Sequence, residues 1–144
     1  MYVELHAASA FSFLEGASLP EEIAEAAAHS GMPAIALLDR DGVYGGPRFH
    51  SAATRCKIRA HIGAEISVAD FGNQAGCPSW LPNQFPARFV RLPLLVETQT
   101  GYRNLCRLIT RYKMREKGKF TGAAMLAEVA ALPTRHRPSA TSGG

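Results

Sequence analysis

Ala34-Ile35-Ala36-Leu37-Leu38-Asp39-Arg40-Asp41-Gly42 is the stretch on which the fold turns. Five apolar residues in a row, with Pro33 before them and a charged turn after, fit a short strand buried on both faces, as in a parallel sheet. The run delivers Asp39 to the C-terminal end of that strand, where α/β proteins place their chemistry. Asp39-Arg40-Asp41-Gly42 looks superficially like a calcium loop. It has no third oxygen ligand before the glycine and no glutamate to close the loop. Taken alone, one acid in this position is first of all a turn cap or a salt-bridge partner.

Upstream, Tyr2 to His6 is strand-like, and Ser18-Leu19-Pro20-Glu21 predicts a capping box with proline in the first helical turn. The helix that follows has Ile23, Ala24, Ala27 and Ala28 at three-to-four spacing and ends about Ser30, before Gly31. Downstream, Pro47 opens a short helix over Arg48 to Cys56, and Ile58 to Val68 supplies a further strand. Strand, helix, strand, helix, strand at this spacing predicts βαβ crossovers and parallel strands whose C-terminal ends share one side. His6, Asp39 and Glu65 fall near such ends. Residues 70–88 carry two glycines and three prolines around Trp80 and Phe85 and are expected to be a loop insertion. Phe89 to Val96 reads as a strand despite Pro93, and Gly101 to Lys117 as the longest helix, with Leu105, Leu108, Ile109 and Tyr112 on its buried face. Ala123 to Ala131 is a further candidate helix. The domain is expected to span residues 2–131, with a polar, disordered tail over 132–144.

A chain of 144 residues, 47% hydrophobic, can bury one core. No apolar run is long enough for a membrane span, and the first residues lack the pattern of a signal peptide, so a cytoplasmic protein with no membrane partner is expected. Cys56, Cys77 and Cys106 are odd in number and scattered, which argues against a disulfide framework and a zinc knuckle. No Walker loop, GxSxG or Cys/His pairing is visible.

Positive charge is concentrated. Between Arg103 and Lys119 stand seven cations and one acid, a net of +6 in a chain of net +4. Arg103, Arg107, Arg111, Arg115 and Lys119 repeat every fourth residue and form one stripe on the long helix. The stripe is either a phosphate-contacting surface or a solvated face, and no aromatic residues are interleaved with it.

One imidazole and two carboxylates, His6, Asp39 and Glu65, are a partial set for a divalent ion that activates water against a phosphate ester. Together with Ser9-Ala10-Phe11-Ser12-Phe13-Leu14-Glu15-Gly16-Ala17-Ser18, Gly42-Val43-Tyr44-Gly45, Gly63-Ala64-Glu65 and Gly101-Tyr102-Arg103-Asn104-Leu105, they resemble the N-terminal PHP domain of bacterial C-family DNA polymerases. The likeness is greatest to the error-prone, damage-tolerant kind and runs from about Tyr2 to about Glu128.

That resemblance implies an α/β fold, part of a distorted PHP barrel of parallel strands alternating with helices, truncated inside the domain. It implies a rim of metal ligands for phosphoester hydrolysis, of which this sequence keeps His6, Asp39 and Glu65. Ala8, Arg40 and Arg91 stand where the family has histidines. Alanine deletes a ligand; arginine has no lone pair to give and brings a permanent cation. The expectation is therefore a vestigial site with no bound cofactor, taking zinc or manganese only if the rim is still competent, in which Arg40 and Arg91 neutralise Asp39 and Glu65. The chain is expected to play a structural part in an error-prone DNA polymerase, meeting DNA, the other polymerase domains and repair subunits through that parent. The rival readings are a stand-alone, histidinol-phosphatase-like metal-dependent phosphoesterase and a nucleic-acid-binding module built on Arg103, Arg107, Arg111 and Arg115.

Overall fold

The computed structural model describes residues 2–69, 89–115 and 122–132. Its elements in chain order are β1 (Glu4–Ala7), α1 (Pro20–His29), β2 (Ala34–Arg40), α2 (Gly46–Arg55), β3 (Arg59–Ala69), β4 (Phe89–Leu95), α3 (Gln99–Arg115), β5 (Ala124–Met125) and α4 (Leu126–Ala130). The strands form one sheet in the order β1-β2-β3-β4, and β5 pairs with the end of β3. β1 with β2, β2 with β3, and β3 with β5 are parallel, as the alternation of strands and helices predicts.

β4 departs from the expectation of parallel strands: it runs antiparallel to β3, with Ser67 opposite Arg91 and Gly63 opposite Leu95. The Val96 N–H donates to the Ile62 carbonyl at 2.9 Å. Alternation from that point turns the Pro93 nitrogen toward the free edge, where a missing N–H leaves no ladder bond unmade. Gly63 permits the close pairing, since a Cβ there would lie 2.2 Å from the Leu94 carbonyl oxygen.

The helices pack on one face of the sheet, while Ala36 and Leu38 are buried on the other, so β2 is buried on both faces as its apolar run predicts. Ile35 and Leu37 of β2, with Ala60 and Ile62 of β3, meet Ala24, Ala27, Phe49, Ala52 and Ala53 of α1 and α2. Ala64, Ile66 and Val68, with Leu92 and Leu94, meet Leu105, Leu108, Ile109 and Tyr112 of α3. Each fully buried aliphatic or aromatic side chain contributes about 1.5–3 kcal/mol of burial, so these two clusters hold the helices to the outer face. On the inner face stand the alternate residues, among them Arg40, Glu65 and Arg91.

Two local expectations shift. α1 begins one residue late for the predicted capping box: Leu19, not Ser18, is the N-cap, and Glu22 accepts from the Leu19 N–H at 2.8 Å. The segment expected as a helix over Ala123 to Ala131 gives two residues to β5 before α4 starts. The proposed insertion at 70–88 and the tail from residue 133 lie outside the described residues.

Candidate functional site at the strand ends

The connection from β1 to α1 folds over the C-terminal end of β2. Asp39 shares the outer face with Leu37, and there the connection meets it. It accepts from the Ser9 N–H at 2.7 Å, the Ser9 hydroxyl at 2.8 Å and the Ser12 hydroxyl at 2.9 Å. Ser9, Ser12 and Asp39 are all buried. Three donors thus satisfy a buried carboxylate that would otherwise be costly to desolvate.

Arg40, the next residue, alternates to the inner face, and its pairing differs from the predicted one. It does not neutralise Asp39. Its Nη1 lies 2.6 Å from Oε1 of Glu15, which the same connection carries to the inner side. Arg91 of β4 forks onto Glu15, Nη2 to Oε1 at 2.6 Å and Nη1 to Oε2 at 3.0 Å. It also approaches Glu65, Nη1 to Oε2 at 3.8 Å. His6 lies across β2 from Glu65, with Nε2 3.7 Å from Oε1. The inner rim is therefore one contiguous ionic cluster of Arg40, Glu15, Arg91 and Glu65, with the His6 imidazole beside Glu65. The Arg91 fork, with the Arg40 guanidinium beside it, holds the Glu15 carboxyl below the usual glutamate range, and Glu15 in turn makes the Arg91 guanidinium more basic.

Of the three ligand-type residues expected together, His6 and Glu65 meet and Asp39 faces away from them. Ala8 lies just past β1. The residue the sequence reading missed is Glu15. One signal was available: between Ala8 and Leu19 it is the single charged side chain.

A second anchor lies behind the rim. Asp41 adopts φ 49°, a left-handed turn residue after β2. Its carboxylate accepts from the Ser67 N–H at 2.7 Å, the Ser67 hydroxyl at 2.8 Å and the Tyr112 hydroxyl at 2.9 Å. Burial, followed by the neighbouring Asp41 charge, pushes the Tyr112 hydroxyl far above the ordinary tyrosine range, so it stays a donor. This bond fixes α3 to the strand ends.

The divalent ion implied by the family resemblance does not fit this donor set. Two guanidinium groups converge on the Glu15 carboxylate at the rim, and among the described residues no group of three or more His, Cys, Asp or Glu is arranged to hold a metal. A cation that cannot coordinate repels one that must be coordinated.

The α3 stripe is only partly free. Arg103, Arg107 and Arg111 are exposed. Arg115 gives both of its contacts to Glu128, at 2.7 Å to each carboxylate oxygen. Lys119 lies outside the described residues. Among the described residues no helix is long and apolar enough to cross a membrane.

Comparison with known proteins places this geometry. An error-prone DNA polymerase of Anaeromyxobacter sp. (strain K) is 44% identical over 110 residues, 76% of this chain and 9% of that protein. Its counterpart from Corynebacterium diphtheriae is 38% identical over 128 residues, 89% of this chain and 11% of that protein. The chain thus spans about a tenth of the length of the curated relatives it matches. Among solved structures, an amidohydrolase from Chromobacterium violaceum superposes with a TM-score of 0.57 over 78% of this chain and 33% of its own, at 24% identity, a likeness of fold. The PHP domain family profile matches residues 4–132. With its parallel β1, β2 and β3, its strand-end rim and this match over most of its length, the chain belongs to the PHP domain family.

Proposed function

We propose that this chain is the N-terminal PHP part of an error-prone DNA polymerase and that its rim serves as scaffold rather than as a phosphoesterase centre. The observation that carries this reading is the Arg40–Glu15–Arg91 cluster, which occupies the rim with charge pairs in place of an ion. His6, Asp39 and Glu65 are on this view a vestige of a metal site, divided between the two faces of the sheet. Polymerisation belongs to other domains of the parent, and the chain reaches DNA, those domains and repair subunits in the cytoplasm through it, in the setting of damage-tolerant synthesis.

Elemental analysis of the purified chain tests the proposal. Substoichiometric zinc and manganese, with no metal-stimulated hydrolysis of a phosphomonoester, are expected. Near-stoichiometric metal accompanied by such hydrolysis would overturn it in favour of a metal-dependent phosphoesterase. Replacing Ala8, Arg40 and Arg91 together by histidine is expected to raise metal affinity, because it removes two cations and adds three imidazole donors. A contact between DNA and Arg103, Arg107 and Arg111 rests on their exposure and spacing. It predicts duplex-DNA binding that weakens steeply with salt and falls in Arg107→Glu.

A further inference from the structure

The β1–α1 connection has an unusual distribution of side chains. Ser9 and Ser12 are buried against Asp39 while its large apolar residues face outward: Phe13 is 75% and Leu14 90% exposed, and Phe11 is also exposed. Floppiness does not account for this. The Ser9 and Ser12 bonds to Asp39 fix the connection from below, the Arg40 N–H donates to the Ser12 hydroxyl at 3.0 Å, and the Glu15 and Gly16 N–H groups close turns onto the Ser12 carbonyl. Leu14 is held at φ 65°, an uncommon conformation for a bulky residue, and this places Glu15 on the inner rim while Phe13 and Leu14 stay in solvent.

Two of the exposed rings at the strand ends lie against cations. Arg48 lies over Phe11 at 5.9 Å from the ring centre and is itself held by Glu21 at 2.5 Å. On the β2–α2 connection, Tyr44 is 60% exposed, with Lys113 over its ring at 5.2 Å and bonded to its hydroxyl at 3.0 Å. Phe11 beside Arg48, Tyr44 beside Lys113 and the exposed Phe13 make the kind of platform on which unpaired bases stack. The α3 stripe lacks such rings.

We infer that the strand-end surface carrying Phe11, Phe13 and Tyr44 binds single-stranded DNA by base stacking. The inference rests on the polymerase reading above but is tested separately from it, since neither metal content nor hydrolysis enters. Arg40, Arg91 and Arg48 already have carboxylate partners, so stacking rather than net charge carries the affinity and the salt dependence is shallow. Duplex DNA, whose bases are stacked within the helix, cannot use the rings.

Fluorescence anisotropy of a labelled oligothymidylate with the full chain tests this. Binding stronger than to a labelled duplex is expected, with a loss of about tenfold in Phe13→Ala and a similar loss in Tyr44→Ala. Phe13→Trp retains or strengthens binding, which separates a lost ring from a disturbed loop. The inference is overturned by equal affinity for duplex and single strand, by Phe13→Ala and Tyr44→Ala variants that bind as the parent does, or by no oligonucleotide binding at all. The last result would leave the exposed rings to a protein partner.

Discussion

Asp39 and Arg40 are consecutive residues with opposite surroundings. Asp39 turns to the outer face and lies buried under neutral donors from Ser9 and Ser12. Arg40 turns to the inner face and shares Glu15 with Arg91 at a rim where the two guanidinium side chains are nearly half exposed. Asp39 carries one formal charge and the Arg40 cluster several, yet the larger energy belongs to Asp39. Burial leaves its donors no water to return to, whereas water already screens the ion cluster.

The sharpest way to break this contrast is Asp39→Ala. It strands two hydroxyls and an N–H in the interior, and a loss of about 3 kcal/mol in urea unfolding is expected, with a smaller loss in Asp39→Asn. A loss below that of an exposed ion pair would mean that water enters behind the connection. Tyr112→Phe comes next. It removes the donor that ties α3 to Asp41 but leaves Asp41 its two bonds from Ser67, so about 1 kcal/mol is expected by the same measurement.

Glu15→Gln is the smallest. It breaks charge-assisted bonds at an exposed rim, and less than about 1 kcal/mol is expected, falling further as salt is added. Its pH dependence has a definite sign. The folded protein holds the Glu15 carboxyl below the ordinary glutamate value of about 4.3. The stabilisation is therefore fully present above that value and is lost as pH falls through the depressed one. Comparing the parent and Glu15→Gln in urea unfolding across this acid range isolates the effect: the difference between them should shrink toward low pH.

Much of the fold was legible because it rests on local patterns. The apolar run Ala34 to Leu38, the helical spacing of Ala24 and Ala27, and the leucines of α3 each specify an element and the face it buries. The direction of β4 was not legible. No run of residues encodes whether a strand returns antiparallel, and Pro93 becomes acceptable only once its nitrogen is known to face the free edge. At the site, Asp39, Arg40, Glu65 and Arg91 were recognisable as strand-end residues. Their pairing was not, because the alternation of side chains separates Asp39 from Arg40, and Glu15 reaches the rim from a connection whose path the sequence does not reveal.

By itself the sequence determined which residue types stand at the strand ends, and therefore that two permanent cations stand there: composition at a position is a local property. Only the tertiary structure decided which acid meets those cations. Glu15 lies 25 residues from Arg40 and 76 from Arg91 along the chain, and these distances close only when β1, β2, β3 and β4 align in one sheet.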